Sequence, residues 1–314
     1  MTTRYVDHVM GMPISLAVRG RHAADDRARA AWAEVMASLR WVDRVFSTYR
    51  PESFVSRLGR GEVDVADCPA EVAEVLALGD LAEQRSDGAF RVRRAGADGE
   101  VVLDPSGVVK GWAVERAAVH LDSLEETDFC LSAGGDLLCR TLDPDAQPWR
   151  IGIEDPHDPT GLVAVVPVFT GAVATSGAAH RGRHIVDART GRPPADVASV
   201  TVVTASLTWA DIDATTAYAY DRDAASWLSG QPGRSGLVVW SDASTTSVKQ
   251  PASRTLGHPV SNVRTPRVER SDRSGGGVGC PNAEFAVSER GTRDGSTTPT
   301  VPANGVSRPF PNSG

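Results

Sequence analysis

An α+β fold is what the sequence predicts, on three observations. Apolar residues recur at helical spacing in the first part of the chain. Short β-rich runs follow in the middle with no strict strand–helix–strand alternation, which disfavours a doubly wound parallel sheet. After about Val248 the composition changes to Ser, Thr, Gly, Pro, Arg and Asn, with isolated apolar residues at no period. Residues 1–248 are therefore read as the folded domain and 249–314 as a disordered tail, since such a segment buries too little apolar surface to offset its ordering entropy.

The first helix is signalled by Trp32, Val35, Leu39, Val42 and Phe46, which share one face between charged positions such as Glu34 and Arg40. A second is suggested by Val72, Val75, Leu76 and Leu81. A third runs from Trp112 to Leu121 after a turn at Pro105, Ser106 and Gly107. The clearest strands are Trp149 to Ile153, Val163 to Phe169, Ala172 to Thr175 and Val200 to Ala205. The last leads through Trp209 into a helix from about Ala210 to Leu228, and Leu237 to Trp240 forms a final strand.

Composition narrows the function. The 314 residues are enough for a core able to enclose a cofactor. Lys and Arg total 33 against 40 Asp and Glu, a net charge of -7 that lacks the basic footprint of a nucleic-acid binder. Cys68, Cys130, Cys139 and Cys280 form no CxxC pair, so neither a zinc knot nor a redox dithiol is indicated and reduced thiols are expected. The N-terminus lacks the basic start and unbroken apolar run of a signal peptide, and no stretch approaches the ~20 apolar residues of a bilayer span. A cytoplasmic protein with no membrane insertion is expected.

Several segments carry candidate chemistry. Phe46-Ser-Thr-Tyr49 and Ser56-Arg-Leu58 place an aromatic and hydroxyls just past the first helix. Asp104 and Lys110 stand six apart across a Gly-containing turn into a helix, whose free N–H groups suit a phosphate. The same lysine on a surface is simply solvated. Ser132-Ala-Gly-Gly-Asp136 follows an apparent strand, and its glycines either admit a ligand close to the backbone or make a plain tight turn. Ala174-Thr-Ser-Gly177 precedes His184, a candidate general base. Asp211 and Thr215 are four apart at a helix start and offer oxygen to one point, as a hard cation requires or as an ordinary helix cap does.

Together, FSTY, SRL, GAF, DPSGVVKGWAV, AGGD, ATSG, HIVDARTG and WADIDAT resemble, in this order, the ApbE family of FAD:protein FMN transferases. The resemblance runs from Met10-Gly11 through Thr215 and less distinctly to Trp240. It implies a two-layer, T-fold-related α+β catalytic domain that holds FAD beside Mg2+ while a Ser or Thr of an acceptor protein attacks the FMN phosphorus, with AMP leaving. It implies FAD contacts at Met10, Tyr49, Ala89, Phe90, Arg91, Asp104, Lys110 and Ile185. It further implies magnesium at Asp211 and Thr215, with the backbone oxygen of Gly107 as a third ligand, and His184 as the proton acceptor. Acceptors of the family carry a motif resembling Asp-x-x-Ser/Thr-Gly/Ala-Ala/Thr. Three positions depart from the pattern: Arg91 stands where Asp is usual, Gly59 where Asn often follows Ser-Arg-Leu, and Ala188 replaces a Pro. An FAD pyrophosphatase yielding FMN and AMP, and an FAD-binding protein without turnover, are the competing readings.

Overall fold

A computed structural model describes residues 2–95, 99–142, 145–179, 182 and 184–249 of the chain. All of the expected tail beyond Lys249 lies outside the described residues.

An N-terminal hairpin pairs β1 (Thr2–Val9) with β2 (Met12–Gly20) across a two-residue turn in which Met10 and Gly11 both have positive φ, 55° and 71°. That combination is what a tight turn needs to match the twist of its strands. Helix α1 (Asp26–Phe46) is capped by the Asp25 carboxylate, which accepts from the N–H groups of Arg27 and Ala28. As the spacing predicts, its Val35, Leu39, Val42 and Phe46 are buried, while Trp32 is half-buried and stacks on Tyr5 with ring centres 6.0 Å apart. Helix α2 (Phe54–Gly59) is capped by Ser53, and α3 (Ala70–Arg85) buries Val72, Val75 and Leu76. Leu81 belongs to the solvent side of α3 and not to its apolar face.

After the small sheet of β3 (Arg93–Ala95) and β4 (Val101–Leu103), helix α4 (Ser106–Ala118) begins at the Pro105 turn, a turn and a half before the expected Trp112. The Asp104 carboxylate accounts for the early start, accepting from the Ser106 N–H at 3.2 Å and the Ser106 hydroxyl at 2.6 Å. Strands β5 (Thr127–Ala133) and β6 (Asp136–Arg140) form a second hairpin around Gly134 and Gly135, followed by β7 (Trp149–Asp155), β8 (Asp158–Val168) and β9 (Gly171–Gly177). Strand β10 (Val197–Thr204) leads into α5 (Leu207–Ala219).

The expected single helix from Ala210 to Leu228 is two helices, because the chain breaks after Tyr220 and resumes as α6 (Ala224–Ser229). At the break Asp221 takes φ +53°, and its carboxylate accepts from the N–H groups of Asp196 and Val197. Asp tolerates the left-handed region, and these two hydrogen bonds fix it there. Strands β11 (Ser235–Trp240) and β12 (Thr245–Val248) complete the domain.

Eight strands form one sheet in the order β1-β2-β5-β6-β9-β10-β11-β12, every pair antiparallel. The sheet carries a different core on each face, and alternate residues serve each. Phe129, Leu131, Ala172, Ala174, Val200 and Val202 pack with α1, α4 and α5 in the main core. Cys130, Cys139, Val173, Leu237 and Val239 pack instead with Trp149, Ile151, Ile153, Ala164 and Val166 of the β7–β8 hairpin. The α+β class holds, with the second face of the sheet covered by that hairpin.

Gly236 marks where β11 meets α6: a Cβ there would lie 2.5 Å from Leu228 Cδ2 and 2.6 Å from the Thr201 carbonyl. Gly236→Ala is expected to lower stability by about 1–3 kcal/mol, read as a lower urea midpoint at unchanged slope.

Candidate active site

The cluster at the centre of the candidate site draws on three elements. Lys110, in the second turn of α4, sends its ammonium between two carboxylates, 2.7 Å from Asp136 Oδ2 and 3.3 Å from Asp211 Oδ1. Asp136 opens β6 at the tip of the β5–β6 hairpin and is fully buried, its Oδ1 accepting from the Thr175 N–H of β9 at 3.2 Å. Asp211 belongs to the first turns of α5, and its Oδ2 accepts from the Gly111 N–H of α4 at 3.1 Å. Gly111 lets the two helices come this close: a Cβ there would stand 2.7 Å from the Leu207 carbonyl and 3.0 Å from Asp211 Cβ. One turn beyond Asp211, the Thr215 hydroxyl lies 3.0 Å from Ser176 Oγ of β9.

The electrostatics follow from burial. The two carboxylates are buried and the ammonium is partly exposed, which leaves one formal negative charge in excess where water has little access. Burial alone would lower the pKa of Lys110, but Asp136 and Asp211 outweigh it and hold the ammonium charged well above the usual lysine range. Burial pushes Asp211 up to about 7, with Lys110 opposing and Asp136 reinforcing. The protein alone can balance this cluster only with a proton.

A second group of contacts docks the HIVDARTG loop against the turn that follows α3. Asp87 and Gly88 there have positive φ, the Phe90 N–H donates to Ser86 Oγ, and the Ala89 carbonyl accepts from the Ala188 N–H at 3.0 Å. Phe90 lies against the start of α4, where a Cβ on Gly107 would come within 2.9 Å of its ring. Arg189 binds the Asp187 carboxylate at 2.8 Å and stacks 4.3 Å from the Tyr220 ring, while the Tyr220 hydroxyl donates to the Ser86 carbonyl. Burial pushes the Asp187 carboxyl up, yet the hydrogen bonds from Arg189 prevail and hold it below its ordinary value.

The other expected site residues are placed as follows. Met10 occupies the left-handed turn of the first hairpin, and Ile185 is half-buried against the main core. Asp104 accepts from Ser106 at the start of α4 and faces Arg94 at 3.4 Å. Tyr49 is 95% exposed, clear of the protein just beyond α1. Arg91 is exposed and folds back to pair with Glu83 at 3.0 Å. His184 is exposed, with its Nδ1 3.0 Å from the Gly182 carbonyl. Tyr49, Arg91 and His184 thus stand outside the charged cluster that Lys110 and Asp211 share.

Two residues escaped the sequence reading. Asp136 ends the AGGD motif, in which the glycines are the stronger feature, and its own signal is a carboxylate entering an apolar strand. Tyr220 gave none, because its role depends on the helix break after it.

Solved structures share this architecture. The ApbE protein of Thermotoga maritima superposes with a TM-score of 0.69 at 20% identity, covering 79% of this chain and 97% of that one. The apo form of the Pseudomonas stutzeri flavinyl transferase ApbE gives 0.66 at 22% identity, covering 79% and 95%. The fold is therefore the ApbE-like α+β class. The sequence model of the ApbE family matches residues 10–97 and 91–237, and the chain belongs to the ApbE family. A Vibrio cholerae protein named FAD:protein FMN transferase is 36% identical over 122 residues, 36% of each chain. One of the same name from Rhodobacter capsulatus is 35% identical over 124 residues, 37% of this chain and 23% of that one. These matches span about a third or less of the relatives' length.

Replacing Lys110 with Met leaves two buried carboxylates without their shared cation. Lys110→Met is expected to lower stability by about 3–5 kcal/mol, measured by chemical denaturation without added divalent cation.

Proposed function

We propose that the chain is an enzyme, a magnesium-dependent FAD:protein FMN transferase whose catalytic unit is residues 1–248. The observation that carries the reading is the cluster of Lys110 with the buried carboxylates of Asp136 and Asp211, one negative charge in excess beside the hydroxyls of Thr215 and Ser176.

The donor chemistry fits magnesium. Among the described residues no group of three or more His, Cys, Asp and Glu forms a cation cage. Mg2+ is commonly held by one or two carboxylates with phosphate and water, and does not need one. Asp211 and Thr215 would hold it, joined by the carbonyl of Gly107. In a regular helix that carbonyl pairs with the N–H of Gly111. Here the Gly111 N–H also donates to Asp211, and a carbonyl's second lone pair is what a cation would take. When bound, the ion supplies positive charge against the FAD pyrophosphate and the charge that develops on phosphoryl transfer.

The remaining work belongs to side chains. Lys110, held charged, keeps Asp136 and Asp211 fixed and offers a cation at the phosphate end of the site. Ala89 and Phe90, themselves buried and anchored by Ser86 and Ala188, would back the wall against which the flavin half lies. Met10, Tyr49 and Ile185 add apolar contacts, and Asp104 and Arg91 lie at its polar margin. His184 takes the proton from an acceptor Thr or Ser. A carbonyl can only accept, so the contact of Nδ1 with Gly182 places the proton of the neutral ring on Nδ1 and leaves the Nε2 lone pair free for that task.

The test is AMP release from FAD by the purified chain, with Mg2+ or EDTA, alone or with an acceptor domain carrying the Ser/Thr motif. Magnesium-dependent AMP and an FMN-sized mass gain on the acceptor are expected. His184→Ala is expected to slow AMP release about 10²–10⁴-fold while FAD still binds. Free FMN without adduct would convert the reading to a hydrolase, and FAD held intact under every condition would end it.

A further inference from the structure

We propose that Cys130 and Cys139 are the two halves of a cross-strand disulfide, a covalent modification site within the fold. The two residues face each other in the register of β5 and β6, and their sulfurs lie 3.4 Å apart. The hairpin sets which kind of pair this is. Ala133 and Asp136 flank the two-residue Gly134-Gly135 turn and so form a hydrogen-bonded pair. Counting back, with alternation at each step, makes Cys130 and Cys139 a non-hydrogen-bonded pair. In such pairs the side chains approach most closely, with Cα atoms at a separation a disulfide accepts. Rotation about the cysteine side-chain bonds then carries the sulfurs from this contact toward bonding distance.

The surroundings decide when the bond forms. Both sulfurs belong to the second core, beneath Trp149, Ile151 and Ile153 of the β7–β8 hairpin, and both residues are buried. Burial raises the Cys139 thiol well above its ordinary value, so the closed protein presents almost no thiolate there. Oxidation therefore proceeds during folding, before β7–β8 covers the pair. A small-molecule disulfide such as oxidised glutathione is the oxidant. One cysteine thiolate attacks it and expels a glutathione thiolate, and the second attacks the cysteine sulfur of the mixed disulfide and expels the other. Two S–H bonds are lost, one protein S–S bond forms, and the oxidant leaves as two thiols carrying the two protons. The cross-link ties the strands whose shared tip carries Asp136, independently of the transfer reaction proposed above.

The full chain, reduced and unfolded in urea, is refolded with or without oxidised glutathione, alkylated and digested with trypsin without reduction. Residues 117–140 form a single tryptic peptide holding both cysteines. With oxidised glutathione that peptide is expected unalkylated and two hydrogens lighter than the dithiol, and the folded protein is expected to melt about 5 °C higher. Cys139→Ala should abolish both effects, and Cys68→Ser should leave both intact. A native-like refolded protein with both cysteines alkylated, or with Cys130 or Cys139 joined to Cys68 or carrying glutathione, overturns the proposal.

Discussion

The placement of one ammonium between two buried carboxylates governs the geometry of the helical layer. Lys110 reaches Asp136 and Asp211 only if α4 and α5 nearly touch, and they do so because Gly111 has no side chain and its N–H serves the Asp211 carboxylate. A buried ion pair of this kind contributes little net stability, but losing one partner is costly, so it acts by excluding other arrangements. The hairpin tip, the helix start and the neighbouring helix are thereby held in one relation.

A second set of restraints works at longer reach. Glu115, one turn beyond Gly111 on α4, accepts from the Ser206 hydroxyl and from the N–H of Thr208, so it also secures the start of α5. The Arg189–Tyr220 stack and the Ala188–Ala89 hydrogen bond fasten a long loop to the turn after α3. Loops carry function when a scaffold fixes their ends, and here the fixing groups are an aromatic ring and a backbone amide, not a charge in the site itself.

What the sequence disclosed follows the strength of each physical signal. Helix α1 was legible because it is long and amphipathic, with Val35, Leu39, Val42 and Phe46 on one face. Helix α5 was legible in existence but not in extent, since a helix enclosed on every side has no polar face to mark it and its end depends on two hydrogen bonds to Asp221. The N-terminal hairpin went unread because the strand-like residues of β1 are interleaved with charges at a sheet edge and its turn relies on a methionine with positive φ. Asp211 and Thr215 share one helical face by spacing alone, and Lys110 is legible as a lysine that follows a turn, but no local pattern joins them. Asp136 was hidden because a partner 26 residues away in sequence gives its charge a purpose that no local pattern records.

Helix α5 has a further consequence, for how the family can vary. Its Leu207, Ala210, Ile212, Ala214 and Ala217 fill the core, while Asp211 and Thr215 of the same short segment bond to Gly111 and Lys110 of α4 and to Ser176 of β9. Such a helix has almost no neutral positions, so drift there is confined to substitutions that satisfy packing and charge together. Variation must accumulate elsewhere, at exposed positions such as Val6, Val101 and Val119, where a change of side chain leaves the interior undisturbed.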